Sequence, residues 1–163
     1  FCLIPMVKEK ISIPLIAAGG IGTGRGMLAA MTLGADAVQI GSRFVATPES
    51  SAHQAFKQTV VEAKEGDTQL TLKELTPVRL VKNEFYKKVA QAYQNNASTE
   101  ELANLLGKGR AKKGMFEGDL IEGELEIGQI SGLIHDIKPA AEIVQEIIQE
   151  FQEAQQTISS FSL

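Results

Sequence analysis

Tryptophan is absent, cysteine occurs once and proline only five times in 163 residues. A single thiol, Cys2, makes no intramolecular disulfide, so a disulfide-stapled secreted scaffold is excluded, and the composition is not that of a collagen-like chain. No apolar run reaches the roughly 18 residues that a membrane-spanning helix needs. No membrane partner is therefore expected, and the reading is of a cytoplasmic protein. An excess of positive charge is also missing. Sixteen Lys+Arg stand against twenty Asp+Glu, a net charge of −4, which does not suit a protein that neutralises a nucleic-acid backbone.

What remains is folded-domain material. With 44% hydrophobic residues the chain is too apolar to be disordered. A chain this long buries roughly 70% of its unfolded surface, enough for one core and an appendage. It opens on Phe1-Cys2-Leu3-Ile4-Pro5, inside an apolar stretch and without an initiating Met. This predicts the later part of a longer polypeptide.

Residues 3–10 read as the last turns of a helix. Ile13-Pro14-Leu15-Ile16-Ala17-Ala18 is a short continuous apolar run ended by Gly19-Gly20, the pattern of a strand buried on both faces. Thr23 is placed to cap a helix over 24–33, stopped by Gly34. Ala37-Val38-Gln39-Ile40 is the next strand, and strand, helix and strand at this spacing predict a parallel βαβ unit. Thr47-Pro48-Glu49 reads as cap, first-turn proline and first-turn acid of a helix running to about Lys64. Alternating leucines over 69–81, a helix near 82–95 and another from Ser98 or Thr99 to Gly107 follow. Glycines recur from 107 to 132, which predicts loop and turn. Pro139 opens a last amphipathic helix to 153, and the Gln/Ser-rich end, 154–163, is expected to fray.

The chemistry concentrates in Ala17-Ala18-Gly19-Gly20-Ile21-Gly22-Thr23-Gly24-Arg25-Gly26. Glycines between a strand end and a helix start let backbone N–H groups approach a ligand, and the helix end adds partial positive charge, so the combination favours a phosphate. It is neither a dinucleotide fingerprint nor a P-loop. Arg25 and Met27 stand where a third glycine is required, and Arg25-Gly26 where Lys and Ser/Thr are required. A second glycine turn, Gln39-Ile40-Gly41-Ser42-Arg43, ends the next strand. Neighbouring parallel strands finish at one edge, which describes the phosphate site that barrel enzymes build after strands seven and eight. The plainer reading is that these glycines only make tight turns.

Four stretches carry a resemblance: 13–21, 34–44, Glu49-Ser50-Ser51-Ala52-His53, and Gly128-Gln129-Ile130-Ser131-Gly132-Leu133-Ile134. In this order they resemble the FMN-dependent nitronate monooxygenase family, which includes enoyl-ACP reductase II. The resemblance implies an α/β fold, the C-terminal part of a (β/α)8 TIM barrel, with a mostly helical small domain inserted between strand eight and helix eight. It assigns 1–45 to a barrel segment with the FMN phosphate site, 46–135 to an inserted domain acting as substrate lid, 136–153 to the final barrel helix and 154–163 to a frayed tail. Strand seven would be 13–18 and strand eight 37–41. Gly19, Gly20, Gln39, Ile40, Gly41 and Ser42 match positions that bind FMN, and their main-chain N–H groups would hold the phosphate.

The family's catalytic histidine would fall upstream of Phe1, so no catalytic residue is assigned here, and no metal is expected. His53 matches a family histidine and is a candidate substrate contact, with helix packing as the plainer role; His135 reads as a turn residue. Lys108, Arg110, Lys112 and Lys113 could dock an acidic carrier or a cofactor phosphate, or form a solvated face opposite Glu117 to Glu126. The resemblance leaves three functions open. One is oxidation of alkyl nitronates with O2 to a carbonyl compound and nitrite. Another is reduction of enoyl thioesters by NAD(P)H through FMN. The third is a non-catalytic FMN-binding piece that needs the N-terminal half of the barrel, on the same or another chain. A homodimer is compatible with each.

Overall fold

The computed structural model describes residues 1–161; of the expected tail, 162 and 163 lie outside the described residues. The chain divides into two units, Phe1–Glu49 with Lys138 onward, and Ser50–Ile137.

In the first unit helix α1 (Leu3–Lys8) precedes strand β1 (Ile16–Ala18), helix α2 (Gly24–Thr32) and strand β2 (Ala37–Gln39). The strands pair in parallel, with Ile16 opposite Ala37, Ala17 opposite Val38 and Ala18 opposite Gln39. Thr23 caps α2 as expected, its Oγ1 accepting from Gly26 N at 3.1 Å. A small core of Ala17, Ala30 and Ala35 packs with Ile4, Ile21 and Val38 beneath one sheet face. Helix α3 (Ser42–Val45) follows β2, and helix α7 (Ala140–Ser159) closes the unit with Ile143 and Ile147 buried.

Two expectations are corrected here. β1 is three residues long rather than six, and it is covered on one face only: Ala17 is buried whereas Ile16 is 60% exposed. In this unit β1 has a single strand neighbour and helices on one side, so an apolar run that suits burial on both faces keeps one side open. The last helix does not end at 153. It continues to Ser159, where Ser160 N still donates to Gln156 O; residues 152–156 are Gln, Glu and Ala, good helix formers, and the Thr157 and Ser159 hydroxyls donate back to the Glu153 and Gln155 carbonyls.

In the second unit helix α4 (Gln54–Glu62) precedes a hairpin of β3 (Thr68–Thr71) and β4 (Val78–Val81). Residues 124–127 lie along β4, with Val81 N donating to Leu125 O and Ile127 N to Arg79 O. Helix α5 (Glu84–Gln94) and helix α6 (Thr99–Leu106) cover Leu72, Leu80, Phe85, Val89 and Leu102. Ser98, not Thr99, is the cap of α6, in a reciprocal capping box with Glu101. The glycine-rich stretch holds one π-helical turn, Lys112–Phe116, and one 3-10 turn, Gln129–Leu133.

The helix expected to open at Thr47-Pro48-Glu49 instead begins at Gln54. Thr47 Oγ1 donates to Phe44 O at 2.9 Å, so Thr47 finishes α3 rather than starting α4. No helix among the described residues is long and apolar enough to cross a membrane.

Candidate phosphate site at the sheet end

The register Ala18↔Gln39 means that Gly19-Gly20 and Ile40-Gly41 leave neighbouring parallel strands at the same edge. Gly19, Gly20, Gln39, Ile40, Gly41 and Ser42 are thereby brought together. Gly19 and Gly20 turn the chain with φ of +95° and +71°, a region that L side chains enter only with strain. A Cβ built on Gly19, Gly20 or Gly41 would meet no atom within 4 Å. Two turns thus present bare backbone toward open space. Gly41 then caps the start of the four-residue α3, where Phe44 N donates to Gly41 O at 2.9 Å.

No acidic residue occurs between 11 and 35 or between 37 and 48. Main-chain donors with one hydroxyl, Ser42, and no carboxylate on their own turns make a donor set suited to an anion. An apolar cleft of about 450 Å³ is lined by α1, β1 and α2 and includes Gly19 in its wall.

The start of α2 contributes differently from expectation. Gly24 N donates to Glu150 Oε2 at 2.7 Å, and Gly26 N to Thr23 Oγ1. Two of its first-turn donors, those of Gly24 and Gly26, are thus engaged within the protein. Sequence reasoning had no means of finding Glu150, which lies 126 residues away on α7.

His53 belongs to the second unit and caps α4: its Nδ1 accepts from Ala55 N at 3.1 Å, and its own N–H donates to Met115 O at 2.8 Å. The ring packs against Gly118, where an added Cβ would stand 2.3 Å from Nδ1. The run Lys108 to Lys113 is not an open basic patch. Lys112 pairs with Glu117, Lys113 with Asp119 and Arg110 with Glu122. The Lys113 ammonium holds the Asp119 carboxyl down at about 2. Arg110 also donates to the Leu105, Leu106 and Glu122 carbonyls and sits 4.4 Å over the Phe85 ring. Among the described residues no cluster of three His, Cys, Asp or Glu could hold a metal ion.

The model of the nitronate monooxygenase family matches residues 1–150. The chain belongs to the nitronate monooxygenase family. A family relative from Staphylococcus saprophyticus, named "Probable nitronate monooxygenase", is 33% identical over 153 residues, 93% of this chain and 42% of its own. Among solved structures, FabK from Thermotoga maritima is 38% identical with a TM-score of 0.91, over 99% of this chain and 51% of that one. Nitroalkane oxidase from Streptomyces ansochromogenes is 31% identical with a TM-score of 0.74, over 96% and 44%. The α/β fold of this chain is therefore shared with both. This family member spans about half the length of the relatives it matches.

Proposed function

We propose that the chain forms part of an FMN-dependent oxidoreductase, and that the two glycine turns hold the phosphate of FMN. The observation that carries this is the parallel register, which sets Gly19-Gly20 beside Ile40-Gly41 with open space at each glycine. The space fits the group: backbone can approach a phosphate ester there, and no carboxylate on those turns repels it. Gln39, Ile40 and Ser42 complete the second turn. When bound, FMN supplies the redox chemistry; the protein supplies its anchor, its orientation and a dry surrounding.

In this reading Phe1 to residue 45 carries strands seven and eight of a (β/α)8 barrel and α7 is its last helix. Strands one to six cover the open side of β1, where Ile13 and Ile16 are 66% and 60% exposed. The unit Ser50–Ile137 is the substrate lid.

The reaction proposed is oxidation of an alkyl nitronate with O2 to a carbonyl compound and nitrite, supported by the family match over residues 1–150. A second reading, NAD(P)H-dependent reduction of an enoyl thioester through FMN, is supported by the 0.91 TM-score against FabK. Aerobic nitrite release from a nitroalkane or propionate 3-nitronate is measured beside anaerobic NAD(P)H consumption with a crotonyl thioester. Nitrite without enoyl reduction is expected; enoyl reduction without nitrite replaces the first reading by the second, and failure of the protein to retain FMN overturns both.

A further inference from the structure

Two helices of the first unit have their N-terminal donors taken by carboxylates from far along the chain. Gly24 N of α2 donates to Glu150 Oε2 at 2.7 Å. Ala140 N of α7 donates to both carboxylate oxygens of Glu49, at 3.1 and 3.2 Å, across 91 residues. A helix N-terminus carries partial positive charge and unsatisfied N–H groups, so it attracts any anion within reach. Here each end already holds one. By contrast the turns Gly19-Gly20 and Gly41 carry no acidic neighbour in sequence and open onto free space.

We propose that Glu150 is a specificity-determining residue: it is the resident anion of the α2 N-terminus, and it restricts the incoming phosphate to the turns at Gly19-Gly20 and Gly41. The inference rests on the reading of those turns as a phosphate site. Its consequence is selection for a single phosphate ester. A second phosphate group, such as the other half of a dinucleotide's pyrophosphate, meets a carboxylate instead of an available helix end. The contact is backbone-close, since Ile147 O and Phe151 N of α7 lie within 2.3 Å of where a Gly24 Cβ would be. Glu150 is thus delivered to Gly24 N by the helix crossing itself.

The test follows backbone amide NMR signals of the full chain during titration with inorganic phosphate. In the wild type, Gly19, Gly20 and Gly41 should shift while Gly24 does not. In Glu150→Ala, Gly24 should join them. Glu150→Gln keeps the shape but removes the charge, so Gly24 should shift in it as well, though less than in Glu150→Ala; it also serves as the readable variant if Glu150→Ala fails to fold, because a silent Gly24 in it overturns the proposal. A Gly24 shift in the wild type as large as that of the glycine turns overturns it too, as does a silent Gly24 in Glu150→Ala. If the glycine turns stay silent in every variant, the flavin-phosphate reading falls, while Gly24 in Glu150→Ala still decides the role of Glu150.

Discussion

Gly24 of α2 lies against the main chain of Phe151 in α7: a Cβ at Gly24 would stand 2.2 Å from the Phe151 nitrogen. Alanine is intrinsically the better helix former by about 1 kcal/mol, so local preference and packing disagree at this position, and packing decides. The clash is with backbone, which cannot swing aside as a side chain can. Gly24→Ala should destabilise the fold by about 1–3 kcal/mol or more, read as a lower denaturant midpoint. An unchanged midpoint would show that the two helices separate freely.

Gly41 offers the cleanest probe of the phosphate turns. Its φ of −108° is open to any residue and nothing lies within 4 Å of its Cβ position. Gly41→Val should therefore leave the flavin-free melting temperature unchanged while abolishing FMN retention, checked by flavin absorbance of the purified variant. Gly20→Val should lose FMN as well, but at φ +71° it also strains the backbone by about 1–3 kcal/mol. Ser42→Ala should weaken FMN binding by about 1 kcal/mol, one hydrogen bond's worth.

Glu124 is 5% exposed. Burial, reinforced by the charge of Glu126 and partly offset by Arg110, pushes its carboxyl up to about 7 from 4.5. A raised carboxyl pKa means that the folded state holds the proton more tightly, so stability falls as pH rises from about 4.5 to about 7 and is level beyond. Glu124→Gln should remove this dependence. The gain above pH 7 should be up to about 3 kcal/mol and should vanish near pH 4.5, as thermal melts across that range would reveal. A pH-independent difference between the two proteins would contradict the assignment.

For His53 the capping role and a substrate role separate by substitution. His53→Ala should cost about 1 kcal/mol of stability, whereas Asn, itself a good cap, should recover most of it. A normal Michaelis constant in the stable Asn variant is expected. A raised one would establish that the imidazole touches substrate.

Much of the first unit was legible because its signals are local. Thr23, three residues before Gly26, announces the α2 cap, and Ala18-Gly19-Gly20 beside Gln39-Ile40-Gly41 announces two strand ends. Local signals also misled. Thr47-Pro48-Glu49 has the composition of a helix start, yet Thr47 closes α3 and Glu49 is spent on Ala140. Partners separated by 91 and 126 residues leave no trace in periodicity, so Glu49 and Glu150 became visible only in three dimensions. Glu124 was hidden by its setting: an acidic run reads as a solvated face, although Leu125 and Ile127, both buried, mark a segment that pairs with β4. The open side of β1 was not legible, because an apolar strand records the neighbours it suits, and in the proposed barrel those neighbours belong to strands one to six.

The Glu49 bridge to Ala140 joins the residue before Ser50 to the start of the last helix, so the long excursion from Ser50 to Ile137 leaves and returns through one electrostatic staple. The N-terminus of α7 is consequently tied to a residue of its own unit. Such an arrangement lets the excursion lengthen, shorten or diverge over evolutionary time while the first unit keeps its shape.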